Sequence, residues 1–311
     1  MTTDNIERVS IMALAWDIAA DIYYPQGFDG KQKYTTVISA HPTGSCKEQT
    51  SGNIYGTALA KEGFVAIAFD ASFQGDSGGE PRLIEDPAFR VQDFSYVIDY
   101  LVTQPWVDEN KIGVLAICGG GGYAVNATMT ERRIKALGTV TGANVGRRMR
   151  EGFTEYDPLG ALEAMAAQRT AEARGEETQV NDLLPPSPEA AREAGLTDID
   201  LLEATEYYKT DRGRKPHGYT SFLFSRQAAL VGWDAFDRAE LLLTQPLCLV
   251  VGDRPGAFGA YRDAFELYER AASTDKELAV LKGVSHYDLY DKPDAVRQAL
   301  DHLIPFYKKH L

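Results

Sequence analysis

The stretch Lys111–Tyr123, KIGVLAICGGGGY, decides how the chain is read. Ile112 and Val114–Ile117, with Gly113 between them, form a short apolar run of the kind buried on both faces of a sheet. The run stops at Cys118 and gives way to four consecutive glycines, Gly119–Gly122. A glycine inside a helix costs about 1 kcal/mol relative to alanine, so four at a helix start answer a geometric demand. One such demand is a sharp strand–nucleophile–helix turn, small-x-Nu-x-Gly. There the nucleophile occupies a strained backbone position, and small neighbours let strand and helix cross. In that frame the residues read Ala116-Ile117-Cys118-Gly119-Gly120, and the nucleophile is a thiol.

Other frames fit the same residues. Gly119-x-Gly121-x-x-Ala124 matches a dinucleotide-binding turn and would make the protein a nucleotide-binding oxidoreductase. That motif opens its fold and is followed about 20 residues on by an acid for the ribose. Here the stretch lies a third of the way along, and the next strand, IKALGTVTG over 134–142, carries no acid. A frame shifted by two puts Gly120 at the nucleophile position between Cys118 and Gly122, and describes an inactive protein that binds an acyl ligand in the same cleft. A cysteine buried only for packing is inert. Its place at the turn is what sets Cys118 apart.

With 311 residues, 44% of them hydrophobic, the chain can build one large α/β domain carrying an insertion, or two domains. Its apolar runs reach strand length only, too short to span a membrane. The opening MTTDNIERVS has acids and no apolar core, unlike a secretory signal. Cys46, Cys118 and Cys248 are too few, and odd in number, for a disulfide framework, which points to a reducing, cytoplasmic setting. A net charge of −13 disfavours nucleic acid or anionic membrane as a partner. The partner expected is a small molecule, with a homo-oligomer left open.

Outward from the elbow, strands alternate with helices. Ile6–Met12 and Ile18–Tyr24 read as an antiparallel opening; Thr35–Ala40 runs into His41-Pro42-Thr43-Gly44; Phe64–Phe69 ends at Asp70. A loop over 74–82 and an amphipathic helix near 88–103 lead to the elbow strand. This alternation predicts a mainly parallel sheet of about eight strands with helices on both faces. The core is assigned to residues 1–145 and 241–311. Between them, residues 146–240 show no buried strand, only Glu-, Arg- and Ala-rich helical stretches, and read as a helical insertion, or lid. The sheet resumes at Leu247–Val251 and at Glu277–Leu281, and a last helix starts at Pro293.

In open parallel sheets the active residues collect at the carboxyl ends of the strands. Cys118 follows the elbow strand, Asp253 the strand after the insertion, and His286 the last strand. The order nucleophile, acid, histidine is that of α/β hydrolases. A thiol with a free pKa of about 8.5 needs a base. His286 can take its proton, the helix opening at Gly119 favours the thiolate, and an acid behind the imidazole fixes its tautomer. Asp253 is assigned that role, with Asp288 and Asp291 as rivals near His286. Pro42 has no N–H, so the oxyanion donors assigned are the backbone N–H groups of Thr43 and Gly119.

KIGVLAICGGGG resembles the elbow of the dienelactone-hydrolase-like branch of the α/β-hydrolase superfamily, where cysteine replaces serine. HPTGS, AFDASFQGDSGGEPR, the elbow and GVSHYDLYD together resemble bacterial α/β hydrolases related to fungal polyketide thiohydrolases and acyltransferases. The likeness is weaker in the insertion, where Glu206-Tyr207-Tyr208 and Arg212-Gly213 carry it. It implies an α/β-hydrolase fold and hydrolysis or transfer of an acyl group from an ester, lactone or thioester, without cofactor or metal.

Overall fold

The computed structural model describes residues 5–152 and 157–311; the first four residues of the opening stretch and residues 153–156 of the insertion lie outside the described residues. Eight strands build one sheet: β1 (Ile6–Met12), β2 (Asp17–Tyr23), β3 (Tyr34–Ala40), β4 (Val65–Phe69), β5 (Val107–Ile117), β6 (Ala136–Val140), β9 (Leu247–Arg254) and β10 (Lys276–Ser285). Their order is β1-β2-β4-β3-β5-β6-β9-β10. β2 pairs antiparallel with β1 and β4, and every other pairing in the sheet is parallel. The elbow strand β5 is therefore central, and it is buried on both faces. Ile112, Val114 and Ala116 enter one core cluster; Leu115 and Ile117 enter the other.

Helices cover both faces: α1 (Thr57–Lys61, continuing a π-helical stretch over Thr50–Gly56), α2 (Pro87–Val102) and α3 (Gly119–Thr130) before the insertion. After it come α10 (Ala260–Arg270), α11 (Asp288–Asp291) and α12 (Pro293–His310). Local sequence explains their ends. Asp86 caps α2 by accepting from the Ala88 N–H, with Pro87 at the first helical position. α12 likewise opens on Pro293 and ends with Lys308, Lys309 and His310 against its negative pole.

The stretch from 145 to 242 adds no strand to the large sheet among the described residues. It holds α4 (Val145–Glu151), α5 (Pro158–Ala173), α6 (Pro188–Glu193), α7 (Ile199–Lys209), α8 (Ala228–Gly232) and α9 (Ala239–Leu242). It also holds a small antiparallel pair that periodicity did not reveal, β7 (Val180–Asp182) with β8 (Ser221–Leu223). Strands of three residues are too short to show an alternation. Among the described residues no helix is long and apolar enough to cross a membrane.

Register fixes the site. Ala40 is paired with Ala116, Ile117 with Val140, and Val140 with Val250. The chain thus leaves β3, β5 and β6 at one level, and the three following turns share one space. β9 and β10 behave differently. They run on to Arg254 and Ser285, beyond the ends that their apolar runs set.

Candidate active site

Cys118 has φ 51° and ψ −127°, a left-handed φ that side chains with a Cβ rarely adopt. Three backbone bonds hold it there. Its N–H donates to Val140 O (3.1 Å), and its carbonyl accepts from Gly121 N (2.8 Å) and Ala143 N (2.9 Å). The strain sits at Cys118, while Gly120 lies inside α3, so the shifted frame does not describe this turn. The glycine run is explained by close approach. A Cβ on Gly119 would fall onto Thr43 Oγ1, and one on Gly120 would lie 2.5 Å from His41 O. On the other flank, a Cβ on Gly121 would lie 2.7 Å from the Gly142 Cα, and one on Gly122 2.6 Å from Ala143 O. α3 is wedged between the turns after β3 and β6.

The turn after β3 is locked from behind. His41 Nδ1 bonds Pro42 O (2.6 Å), its Nε2 meets the Ala71 N–H (3.0 Å) and Arg90 (3.0 Å), and Arg90 also donates to His41 O (3.0 Å). Two donors at Nε2 make Nδ1 the protonated nitrogen. Burial, reinforced by the charge of Arg90, holds His41 far below the usual histidine range. It stays neutral and acts as a brace. Thr43 and Gly119, the two assigned oxyanion donors, line one cleft with Cys118.

His286 follows β10 and is 4% exposed. Its Nδ1 lies 2.8 Å from the Oγ1 of Thr141, the fully buried residue that follows β6, with φ 47°. Its Nε2 has no fully formed hydrogen bond among the described residues.

Asp253 is not behind this imidazole, and its assignment is corrected. It lies three residues past Val250, which pairs with Val140, or about 10 Å further along the strand. There it is exposed, and its carboxylate accepts from the N–H of Gly283, at a register irregularity in β10 (2.6 Å). A bulge leaves a backbone donor unpaired, and the nearest acceptor takes it. The rivals are engaged elsewhere too: Asp288 accepts from the Ser285 N–H (3.0 Å), and Asp291 holds Arg212 (2.7 and 2.9 Å). A threonine hydroxyl stands where the reading placed a carboxylate.

Burial works to raise the Cys118 thiol. The charge of His286, hydrogen bonding to His286 and Tyr290, and the N–H of Gly119 outweigh it and leave the thiol below its ordinary range. Cys46 and Cys248 lack that support, and burial pushes both well above it.

The cleft over the sulfur is walled by Val145, Leu183 and Phe258, with Thr43, Arg148, Tyr208, Tyr287 and Tyr290 as its polar members. Phe258 and Tyr290 pack on the His286 ring, with centroids 5.5 and 5.6 Å away. Tyr208 comes from α7, and the same arm grips the histidine loop. Arg212 donates to Tyr287 O (2.9 Å), and Glu203 accepts from Ser285 Oγ (2.5 Å). Sequence reading missed Thr141, Arg148, Tyr208 and Tyr290 as site residues, although Glu206-Tyr207-Tyr208 carries part of the resemblance. Among the described residues no three His, Cys, Asp or Glu side chains converge on a metal position.

Comparison with known proteins agrees with this architecture. Residues 44–293 match the serine aminopeptidase S33 family (Hydrolase_4), and the chain belongs to that family. The family description names a serine; the elbow here carries Cys118. The uncharacterized protein YcjY of Escherichia coli is 40% identical over 300 residues, covering 94% of each chain. The crystal structure of the hypothetical protein PA2218 from Pseudomonas aeruginosa superposes with a TM-score of 0.88 at 30% identity, over 98% of this chain and 94% of that one. The polyketide transferase claH of Penicillium crustosum is 22% identical over 92% of this chain and 91% of its own. The fold is that of an α/β hydrolase.

Proposed function

We propose that this member of the S33 family is a cysteine-dependent acyl hydrolase or acyltransferase that works on an ester, lactone or thioester. The observation that carries the reading is Cys118 itself: a thiol of lowered pKa at a left-handed backbone position, opening a helix and neighbouring His286. In this reading the thiolate attacks the acyl carbonyl, and the carbonyl π electrons move onto oxygen. The N–H groups of Thr43 and Gly119 stabilise that oxyanion. Collapse expels the leaving alkoxide or thiolate, which takes the proton held at His286 Nε2, and leaves a thioester on Cys118. Water or an acceptor alcohol then gives its proton to Nε2 and attacks the thioester, and the thiolate departs. Thr141 holds Nδ1, so Nε2 is the nitrogen available for both transfers. Residues 146–240 act as the lid, with Tyr208 on its inner surface. A relative named as a polyketide transferase is in keeping with group transfer.

The test is kinetic. Cys118→Ala and His286→Ala should each reduce turnover of an activated thioester to background, and the double variant should be little worse than either, as for residues that act as a unit. Full activity in Cys118→Ala would remove the thiol from the mechanism.

A further inference from the structure

We infer that Tyr208 and Tyr290 form a polar subsite beside Cys118 that takes an oxygen carried by the acyl group itself. The preferred substrates are then acyl groups with an oxo or hydroxyl function close to the reacting carbonyl, rather than plain alkanoyl groups. The inference rests on the acyl-transfer reading above.

Both phenol hydroxyls are buried and neither makes a fully formed hydrogen bond among the described residues, although Tyr290 stands close enough to Cys118 to favour its thiolate. Both rings line the cleft that holds Cys118. Tyr208 is 3% and Tyr290 0% exposed, so solvent does not satisfy them through an open surface. Three other buried tyrosines make the contrast. Tyr55, Tyr123 and Tyr307 are equally buried, and each donates: to Leu289 O (2.8 Å), Glu85 (2.7 Å) and Val114 O (2.6 Å). Buried hydroxyls are ordinarily partnered because an unmade bond carries a desolvation penalty. Here two hydroxyls without a fully formed bond stand together, on rings 6.4 Å apart and nearly perpendicular.

The two tyrosines reach the cleft from different places, Tyr208 from α7 of the insertion and Tyr290 from α11 beside His286. Nothing in their own helices calls for the pairing. The apolar part of the wall, Val145, Leu183 and Phe258, suits the carbon skeleton of an acyl chain, with Arg148 and Tyr287 beside it. A plain alkyl chain would fill that wall and strand both hydroxyls in a dry site. A carbonyl or hydroxyl oxygen has two lone pairs and can accept from both phenols at once. Since both rings line the cleft together with the sulfur, that oxygen belongs near the reacting carbon. Sites built to bond a substrate oxygen discriminate strongly against analogues that lack it, because their own groups are left unpaired.

The experiment compares N-acetylcysteamine thioesters of 3-oxobutanoyl, 3-hydroxybutanoyl and butanoyl groups on the full chain. It also measures calorimetric binding of the matching unreactive amides to Cys118→Ala. The oxygenated thioesters should be favoured by about 10²-fold in kcat/KM, and the ratio should fall at least tenfold in the Tyr208→Phe/Tyr290→Phe variant. Reading the change in ratio cancels the intrinsic reactivity of each thioester. A ratio that is the same in the wild type and the double variant overturns the subsite. If no thioester is turned over but the oxygenated amides bind preferentially and lose that preference on Tyr208→Phe, the subsite stands and the acyl-transfer reading falls. Equal binding of all three amides overturns the subsite whatever the turnover. Should the double variant fail to fold, Tyr208→Phe alone carries the comparison.

Discussion

The ends of β5 and β9 look alike in sequence and differ in structure. Each is an apolar run closed by a reactive residue and glycine, Ile117-Cys118-Gly119 in one and Val251-Gly252-Asp253 in the other. At β5 the pairing with β6 stops at Ile117, the backbone turns through a left-handed residue, and Cys118 is delivered to the cleft. At β9 the strand continues to Arg254, and Asp253 is left on an exposed extension, answering an unpaired N–H across a bulge. The chemistry of a strand end is set by where its ladder stops. Residue type at the turn is a weaker guide.

Glycine replacements should break the comparison most visibly. Gly120→Ala puts a Cβ 2.5 Å from a backbone carbonyl on a wedged helix, where neither side can move. Overpacking of this kind costs about 1–3 kcal/mol, and a rigid backbone contact belongs at the upper end. Gly283→Ala, at the β9–β10 bulge, meets nothing within 4 Å and loses only the left-handed φ of 74°. That strain is worth about 1–2 kcal/mol. Urea unfolding should therefore place the elbow variant below the bulge variant, with lost activity confined to the first. The reverse ranking would contradict the packing argument.

Replacing the groups near the imidazole is the next step down. Thr141→Val should lower kcat/KM about tenfold, the worth of one lost hydrogen bond, with KM little changed. Thr141→Ser should restore most of it, which a merely space-filling threonine would not require. Asp253→Asn should alter kcat/KM by less than about twofold, since its carboxylate bonds a backbone N–H away from the cleft. A tenfold loss at Asp253 with no effect at Thr141 would reinstate the carboxylate that the geometry displaces.

Much of this was legible in advance because it depends on local patterns. Two-sided burial showed in Ile112–Ile117, the close approach of α3 showed in its glycines, and strand-end positions brought Cys118, His286, Thr43 and Gly119 into one neighbourhood. What escaped depends on partners far along the chain. The run of β9 past Val251 is decided by pairing with β10, which an apolar run does not record. Thr141 holds a ring 145 residues away through a hydroxyl that draws no attention as a catalytic type. Tyr208 acquires meaning only where α7 meets the histidine loop. The insertion reads from sequence as a lid, but the residue it sends into the cleft does not show there.

A nucleophilic thiol at Cys118 is the centre of the mechanism, and intact-protein mass spectrometry tests it directly. The protein is treated with iodoacetamide across a pH series, and the alkylated residue is then mapped. Burial disfavours the thiolate at Cys46 and Cys248, while His286, Tyr290 and the Gly119 N–H favour it at Cys118. Since the charged form is the stabilised one, the rate at Cys118 should rise with pH through a midpoint below the roughly 8.5 of a free thiol. One adduct should form, on Cys118, and a brief exposure to an activated thioester should block it by leaving an acyl group on the same sulfur. Equal labelling of all three cysteines, or a Cys118 that reacts only above the free-thiol midpoint and never carries an acyl group, would contradict the account.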